Sequence, residues 1–202
     1  MEKIVFILIM ILYDNMDFYK NVKEITPTGY EYIVNKNYKL SKDYVPDDLE
    51  EISLEYSCKD KYLRHEARIN YEKMAKDAKD DGFNIIAVSA YRSYEYQEKL
   101  YNNYVVNLGK FRADIASARA GHSEHQTGLA VDISDLSLDY DNFEDTPEFT
   151  WMQNNSYKYG FILRYPKGKY DITGFKYEPW HYRYVGYLKA LEIYNKKITL
   201  EK

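Results

Sequence analysis

The stretch Gly128-Leu129-Ala130-Val131-Asp132-Ile133 constrains this chain more than any other. Leu129, Val131 and Ile133 alternate with Ala130 and Asp132. A strand here turns its aliphatic residues to one side and its carboxylate to the other. The small Ala130 beside Asp132 leaves room for a bulky neighbour such as a metal. Gly128 permits a sharp turn just before the strand, so His125 can fold back toward Asp132.

Around this strand the sequence predicts a mixture of helices and short strands. Residues 63–81 carry Leu63, Ala67, Tyr71, Met74, Ala75 and Ala78 at spacings of three and four, an amphipathic helix stopped by Gly82. His65 falls off that stripe among charges and reads as a surface residue. Residues 83–90 form a nearly unbroken apolar run, a buried strand. Ser93 suits an N-cap for a helix to about Val106, with Gln97 on the same face as Leu100, Tyr101, Tyr104 and Val105. A polar residue on an inward stripe suggests a hydrogen-bonding task. Arg92 stands where strand gives way to helix. That position serves a site residue and a surface ion pair equally well.

Thr146-Pro147 marks another helix start, running to near Gly160. Residues 161–165 read as a strand, 166–169 as a turn and 170–173 as its hairpin partner. A strand over 180–184 and a closing helix over 185–194 follow. Earlier, 14–29 reads as linker, 32–45 as extended chain with turns, and 46–49 as a short helical start. No βαβ rhythm and no internal repeat appear, which argues for an α+β fold.

The 202 residues fit one domain with an extension. A net charge of -4 without a basic block gives a nucleic-acid partner no electrostatic support. The single cysteine, Cys58, excludes an internal disulfide and carries no nucleophile signature. Residues 4–13 are continuously apolar, well short of the roughly 20 residues that span a bilayer. They suit a secretory signal or short anchor, although no small-residue cleavage site follows. A buried strand or added helix is the alternative.

Three of the four histidines fall in two clusters, Gly121–Asp132 and Glu178-Pro179-Trp180-His181. Histidine and aspartate are ordinary zinc ligands, and a catalytic zinc uses three of them and keeps one position open. Asp132 and His181 join either His125 or His122, and Glu124 is a further candidate; spacing leaves that choice open. Pro179 keeps Glu178 out of helical geometry. A glutamate beside a ligand, not itself a ligand, can take a proton from an activated water.

Ser123-Glu124-His125-Gln126-Thr127-Gly128-Leu129-Ala130-Val131-Asp132 fits S-x-H-x-x-G-x-A-x-D. Glu178-Pro179-Trp180-His181 fits E-x-x-H, and Tyr91-Arg92-Ser93-Tyr94-Glu95-Tyr96-Gln97 resembles the segment that precedes them. In this order the three segments resemble the VanY-type D-alanyl-D-alanine carboxypeptidases, zinc peptidases that share a fold with the Hedgehog signalling domain. The similarity runs over about 34–193. It implies a Hedgehog/DD-peptidase-like α+β fold, with a central antiparallel sheet flanked by helices. It implies one zinc ion on His125, Asp132 and His181, with Glu178 as the base. Arg92 would stabilise the oxyanion and help place substrate, with Gln97 and Ser123 on the substrate's terminal carboxylate. Ala120 stands where the pattern has proline.

The expected activity is removal of the C-terminal D-alanine from peptidoglycan stem peptides by attack of a metal-activated water. L,D-carboxypeptidase or lysin-type endopeptidase activity uses the same chemistry, and a non-catalytic peptidoglycan-binding zinc module is the alternative of another class. Residues 1–29 are expected to form a signal or anchor-like segment and linker, and 30–202 the zinc carboxypeptidase domain. The chain is expected to act as a monomer at the bacterial cell surface, membrane-anchored through the apolar run or secreted. A phage lysin is the alternative source.

Overall fold

The order of elements follows from where apolar side chains recur. In this computed structural model residues 18–202 are described, and the apolar run at 4–13 lies outside them. Lys23–Glu24 (β1) pairs in parallel with Tyr38–Lys39 (β2). Leu49–Glu51 (β3) pairs antiparallel with Tyr62–Arg64 (β4), which runs directly into helix His65–Asp80 (α1). Ile86–Ser89 (β5) leads to Tyr94–Leu108 (α2) and Lys110–Ala116 (α3). Then come Ala130–Ser134 (β6), Pro147–Asn155 (α4), Phe161–Leu163 (β7), Tyr170–Thr173 (α5), His181–Tyr184 (β8) and Tyr187–Lys196 (α6).

The central sheet has the order β5-β6-β8-β7, and each neighbouring pair in it is antiparallel. The α+β expectation and its antiparallel sheet are met. The aliphatic face of β6, Leu129, Val131 and Ile133, packs in one cluster with Ala67, Tyr71, Met74, Ala75 and Ala78 of α1. Each large side chain buried in this way contributes roughly 1.5–3 kcal/mol. The helix stripe and the strand alternation are thus two halves of one core, and the other face of β6 is left for the site.

Three local expectations are corrected. Residues 46–49 do not start a helix: the Asp48 carboxylate accepts from Arg64 Nε at 2.7 Å and its carbonyl from His65 N at 2.8 Å, which draws Leu49 into a strand against β4. Residues 170–173 are one helical turn, not a hairpin strand. Ile172 and Thr173 both donate to the Lys169 carbonyl, Gly174 at φ 78° closes the turn, and β7 pairs instead with β8. In the stretch read as linker, Tyr19 is buried against the His122 ring and Lys23–Glu24 forms a ladder. An aromatic residue that finds a core partner ceases to behave as linker.

Smaller differences lie at element ends. Ser93 caps α2 as expected, accepting from Tyr96 N at 3.1 Å, and Thr146 caps α4, accepting from Phe149 N at 3.2 Å. The helix begun at Pro147 tightens to a 3-10 turn over Ser156–Tyr159 before Gly160. His65 is exposed and bonds Glu50, as its place off the stripe implied. Among the described residues, no helix is long and apolar enough to cross a membrane.

Candidate metal centre

The site is assembled by strand register. Antiparallel pairing sets Asp132 opposite His181 on β8 and opposite Ser89 on β5. His125 arrives differently, on the 3-10 turn Glu124–Thr127. Ser123 opens that turn, its Oγ accepting from His125 N at 3.3 Å. Gly128 closes it at φ 66°, a conformation in which a side chain would be strained. A Cβ there would also lie 2.8 Å from Leu49 Cδ2 and 3.0 Å from Arg64 Cγ. Without glycine at 128 the turn could not lie so close to the β3–β4 hairpin.

His125, Asp132 and His181 each offer a ligand atom, all within 4.8 Å of one another and all buried. His125 Nε2 lies 3.2 Å from Asp132 Oδ2, and His181 Nδ1 lies 2.9 Å from Asp132 Oδ1. Bonds of 2.0–2.1 Å in a tetrahedral zinc site put neighbouring ligand atoms about 3.3 Å apart, so the donor set fits that ion. The tautomers fit as well. His125 Nδ1 sits 2.6 Å from the Ala90 carbonyl and must carry the proton there. Its Nε2 is then a lone-pair donor, buried and without a hydrogen-bond partner among the described residues. An orphaned buried nitrogen facing a carboxylate is what a metal site looks like before the metal is added.

Burial, together with the nearby Arg92 charge, brings His125 down to about 4, which keeps it neutral and able to ligate. His181 goes the other way, to about 9, because the carboxylates of Asp132 and Glu124 beside its ring outweigh the effect of its burial. The same two imidazoles hold Asp132 well below the usual carboxylate range, against its burial.

Glu178 lies beside this group, its Oε2 4.0 Å from His181 Nδ1. Its own backbone N donates to the Tyr165 carbonyl, and its carbonyl accepts from His181 N, which closes the turn that carries it into β8. Burial pushes its carboxyl up to about 7, close to where a general base works best. Arg92 lines the same cleft, Nη2 3.4 Å from Asp132 Oδ2 and Nη1 donating to Gln97 Oε1 at 3.1 Å. A cleft of about 290 Å³ is lined by all seven sequence-proposed residues, Arg92, Gln97, Ser123, His125, Asp132, Glu178 and His181.

Gln97 lines the cleft, and its amide is hydrogen-bonded at both ends. Its Nε2 donates to the Ala118 carbonyl at 2.8 Å and to Ser117 Oγ at 3.1 Å, while Oε1 takes Arg92. Both ends of the amide are held by protein, and Oε1 ties it to Arg92. His122 stays outside the group of three, its Nδ1 2.7 Å from the Asn35 carbonyl. Glu124 is not aimed at the ligand atoms either; its Oε1 accepts from Arg164 Nε at 2.7 Å.

Sequence reasoning missed the arginines. Arg183 and Arg164 have fully buried side chains beside Glu124. The signal was present in β8: at period two, Arg183 shares a face with His181, and an arginine on a ligand's face needs a buried anion. Sequence reasoning also missed the aromatic rim. Tyr96, Leu100 and Tyr104 at helical spacing line one side of the cleft, and Tyr140 and Trp180 meet edge-on at 5.2 Å on the other.

Residues 60–187 match the family model VanY, D-alanyl-D-alanine carboxypeptidase. The chain is 45% identical over 177 residues to the putative carboxypeptidase YodJ of Bacillus subtilis (strain 168), covering 84% of this chain and 65% of that relative. Among solved structures, the LdcB LD-carboxypeptidase superposes with a TM-score of 0.82 at 43% identity, over 90% of this chain and 89% of that one. A variant of the vancomycin-resistance D,D-pentapeptidase VanY from the VanB-type cassette, in complex with Zn(II), gives 0.72 at 33% identity, over 85% of this chain and 97% of that one.

Proposed function

Because this chain belongs to the VanY D-alanyl-D-alanine carboxypeptidase family, we propose that it is a zinc carboxypeptidase. Its substrates are peptidoglycan stem peptides, and the product is a free C-terminal D-alanine. The observation that carries the reading is the meeting of three ligand atoms, a buried glutamate and an arginine around one cleft. His125 Nε2, Asp132 and His181 Nδ1 would hold one zinc. Bound there, zinc supplies Lewis acidity, lowering the pKa of a water and polarising the scissile carbonyl.

The chain's own residues do the rest. Glu178 takes the proton of the attacking water on its carboxylate and delivers it to the leaving amine. Arg92 presents guanidinium N–H groups to the oxygen on which negative charge develops. Its Nε is buried and without a hydrogen-bond partner among the described residues, a spare donor on that side. Gln97 fixes Arg92 from behind. Ser123, at the head of the ligand turn, lines the cleft where the terminal carboxylate would lie.

Removal of D-alanine from a pentapeptide is the D,D reading, and its support is the family model. The L,D reading, removal from a tetrapeptide, is favoured by the higher identity and TM-score of the LdcB structure. We place the enzyme on the bacterial surface, anchored or secreted, where assembled peptidoglycan would present such stems, with release as a phage lysin as the other source. Defined tetrapeptide and pentapeptide stems, incubated with zinc-loaded protein and weighed afterwards, test the activity and its specificity. Loss of one alanine from either peptide supports the reading and assigns its specificity. No product from either, at full zinc occupancy, turns it toward a non-catalytic binding module.

A further inference from the structure

A buried charge cluster behind the metal ligands takes no part in the chemistry so far. Glu124 has no side-chain exposure, and neither have Arg164 and Arg183 beside it. Glu124 Oε1 accepts from Arg164 Nε at 2.7 Å and lies 3.0 Å from Arg183 Nη1. The far edge of Arg164 makes a two-pronged contact with Glu201, Nη2 to Oε1 at 2.6 Å and Nη1 to Oε2 at 3.2 Å. Removing such charges from water costs several kcal/mol per ion, and apolar residues of the same volume often do as well or better for stability. A cluster kept at that cost calls for a second role.

The role is visible at the other oxygen. Glu124 Oε2 and His181 Nε2 are both buried, neither has a hydrogen-bond partner among the described residues, and they face each other at 3.5 Å. The opposite nitrogen of the same ring, Nδ1, faces Asp132 at 2.9 Å. Strand register produces this alignment. His181 and Arg183 share a face of β8, and Arg164, just past β7, donates its backbone N to the His181 carbonyl at 3.1 Å. Two guanidinium groups on Glu124 favour its carboxylate form, which can only accept. The proton between the two residues therefore belongs on Nε2.

We propose that Glu124 is a positioning residue for the metal centre: held by Arg164 and Arg183, and tied through Arg164 to Glu201, it takes the Nε2–H of His181 and so turns the Nδ1 lone pair toward the metal. The inference rests on the zinc reading above. It extends the site by one residue on the ligand turn and, through Arg164, to Glu201, which lies nearly seventy positions beyond Asp132.

Zinc affinity of the full chain, measured by competition with a chromophoric chelator, and the protonation of the His181 ring in zinc-loaded wild type, read from ¹⁵N-histidine spectra, are the tests. Glu124→Gln should bind zinc roughly 10–100-fold more weakly. Glu201→Gln should shift affinity in the same direction by a smaller factor, and Nε2 should carry the proton. Wild-type affinity in both variants, checked for folding by circular dichroism, or a proton on Nδ1, overturns the inference while leaving the zinc reading intact. If Glu124→Gln does not fold, Glu201→Gln and the ring tautomer decide. Wild-type protein that takes up no zinc overturns both together.

Discussion

Asp132 and His181 occupy directly opposed positions on β6 and β8, and their side chains meet at 2.9 Å between Oδ1 and Nδ1. Two of the three candidate ligands are thereby fixed by backbone pairing, and only His125 depends on a turn. Replacing His181 by Ala should lower zinc from about one per chain to a trace by elemental analysis. A ligand present at 1,000 times its Kd adds about 4 kcal/mol of stability. A chelator should therefore lower the wild-type melting temperature and leave that of His181→Ala unmoved.

Glu178 touches the ligand group without completing it. Glu178→Gln keeps the shape of the side chain and removes its ability to take a proton. Turnover of stem peptide should fall by roughly 10²–10⁴-fold, with zinc content unchanged. Near wild-type kcat in a zinc-loaded Glu178→Gln protein would assign the proton transfer elsewhere.

Arg92 and Gln97 act as one unit in the structure, so their substitutions should not add. Loss of the Arg92 guanidinium by Arg92→Ala should reduce kcat/KM by roughly 10²–10³-fold. Gln97→Ala should cost less, because Arg92 remains but is free to move. The double variant should fall close to Arg92→Ala alone, the coupling expected of residues that share a hydrogen bond. Full additivity would place Gln97 on substrate directly, as the sequence resemblance implies.

Much of this architecture could be read from the chain. The α1 stripe and the β6 alternation are periodic, and periodicity survives without coordinates: the stripe and aliphatic face that share a core were both visible. Asp132 and His181 could be proposed from their residue types and clustering, whereas His125 could be separated from His122 only by the resemblance to the VanY-type motif. The helical turn at 170–173 could not, since four residues carry no period and tertiary pairing of β7 with β8 decided the outcome. Nor could Arg164 and Glu201 be linked to His181. Each looks like an ordinary surface charge until strand register buries one and brings the other to it.

The segment that holds the Gln97 amide rests on another buried ion pair, and it supplies a pH test. Asp114 on α3 has no side-chain exposure, and it accepts from Arg119 Nε at 2.9 Å and Nη2 at 2.8 Å, and from Tyr101 Oη at 2.7 Å. These contacts span Ser117 and Ala118, the two residues that hold the Gln97 amide. Burial alone would raise the Asp114 carboxyl; the hydrogen bonds from Arg119 and Tyr101 and the neighbouring cations outweigh it and hold it below the ordinary value. The folded pKa is thus depressed relative to an unfolded value of about 3.9. The stabilisation is complete above the unfolded pKa and is lost as pH falls through the folded one. Asp114→Asn should cost about 3 kcal/mol at pH 7, the usual cost of leaving the partner of a buried pair without its counter-charge. In urea titrations at descending pH, that gap should stay constant to about pH 4 and then close. A gap that does not change down to pH 2 would mean that Asp114 contributes by packing and neutral hydrogen bonds and not by its charge.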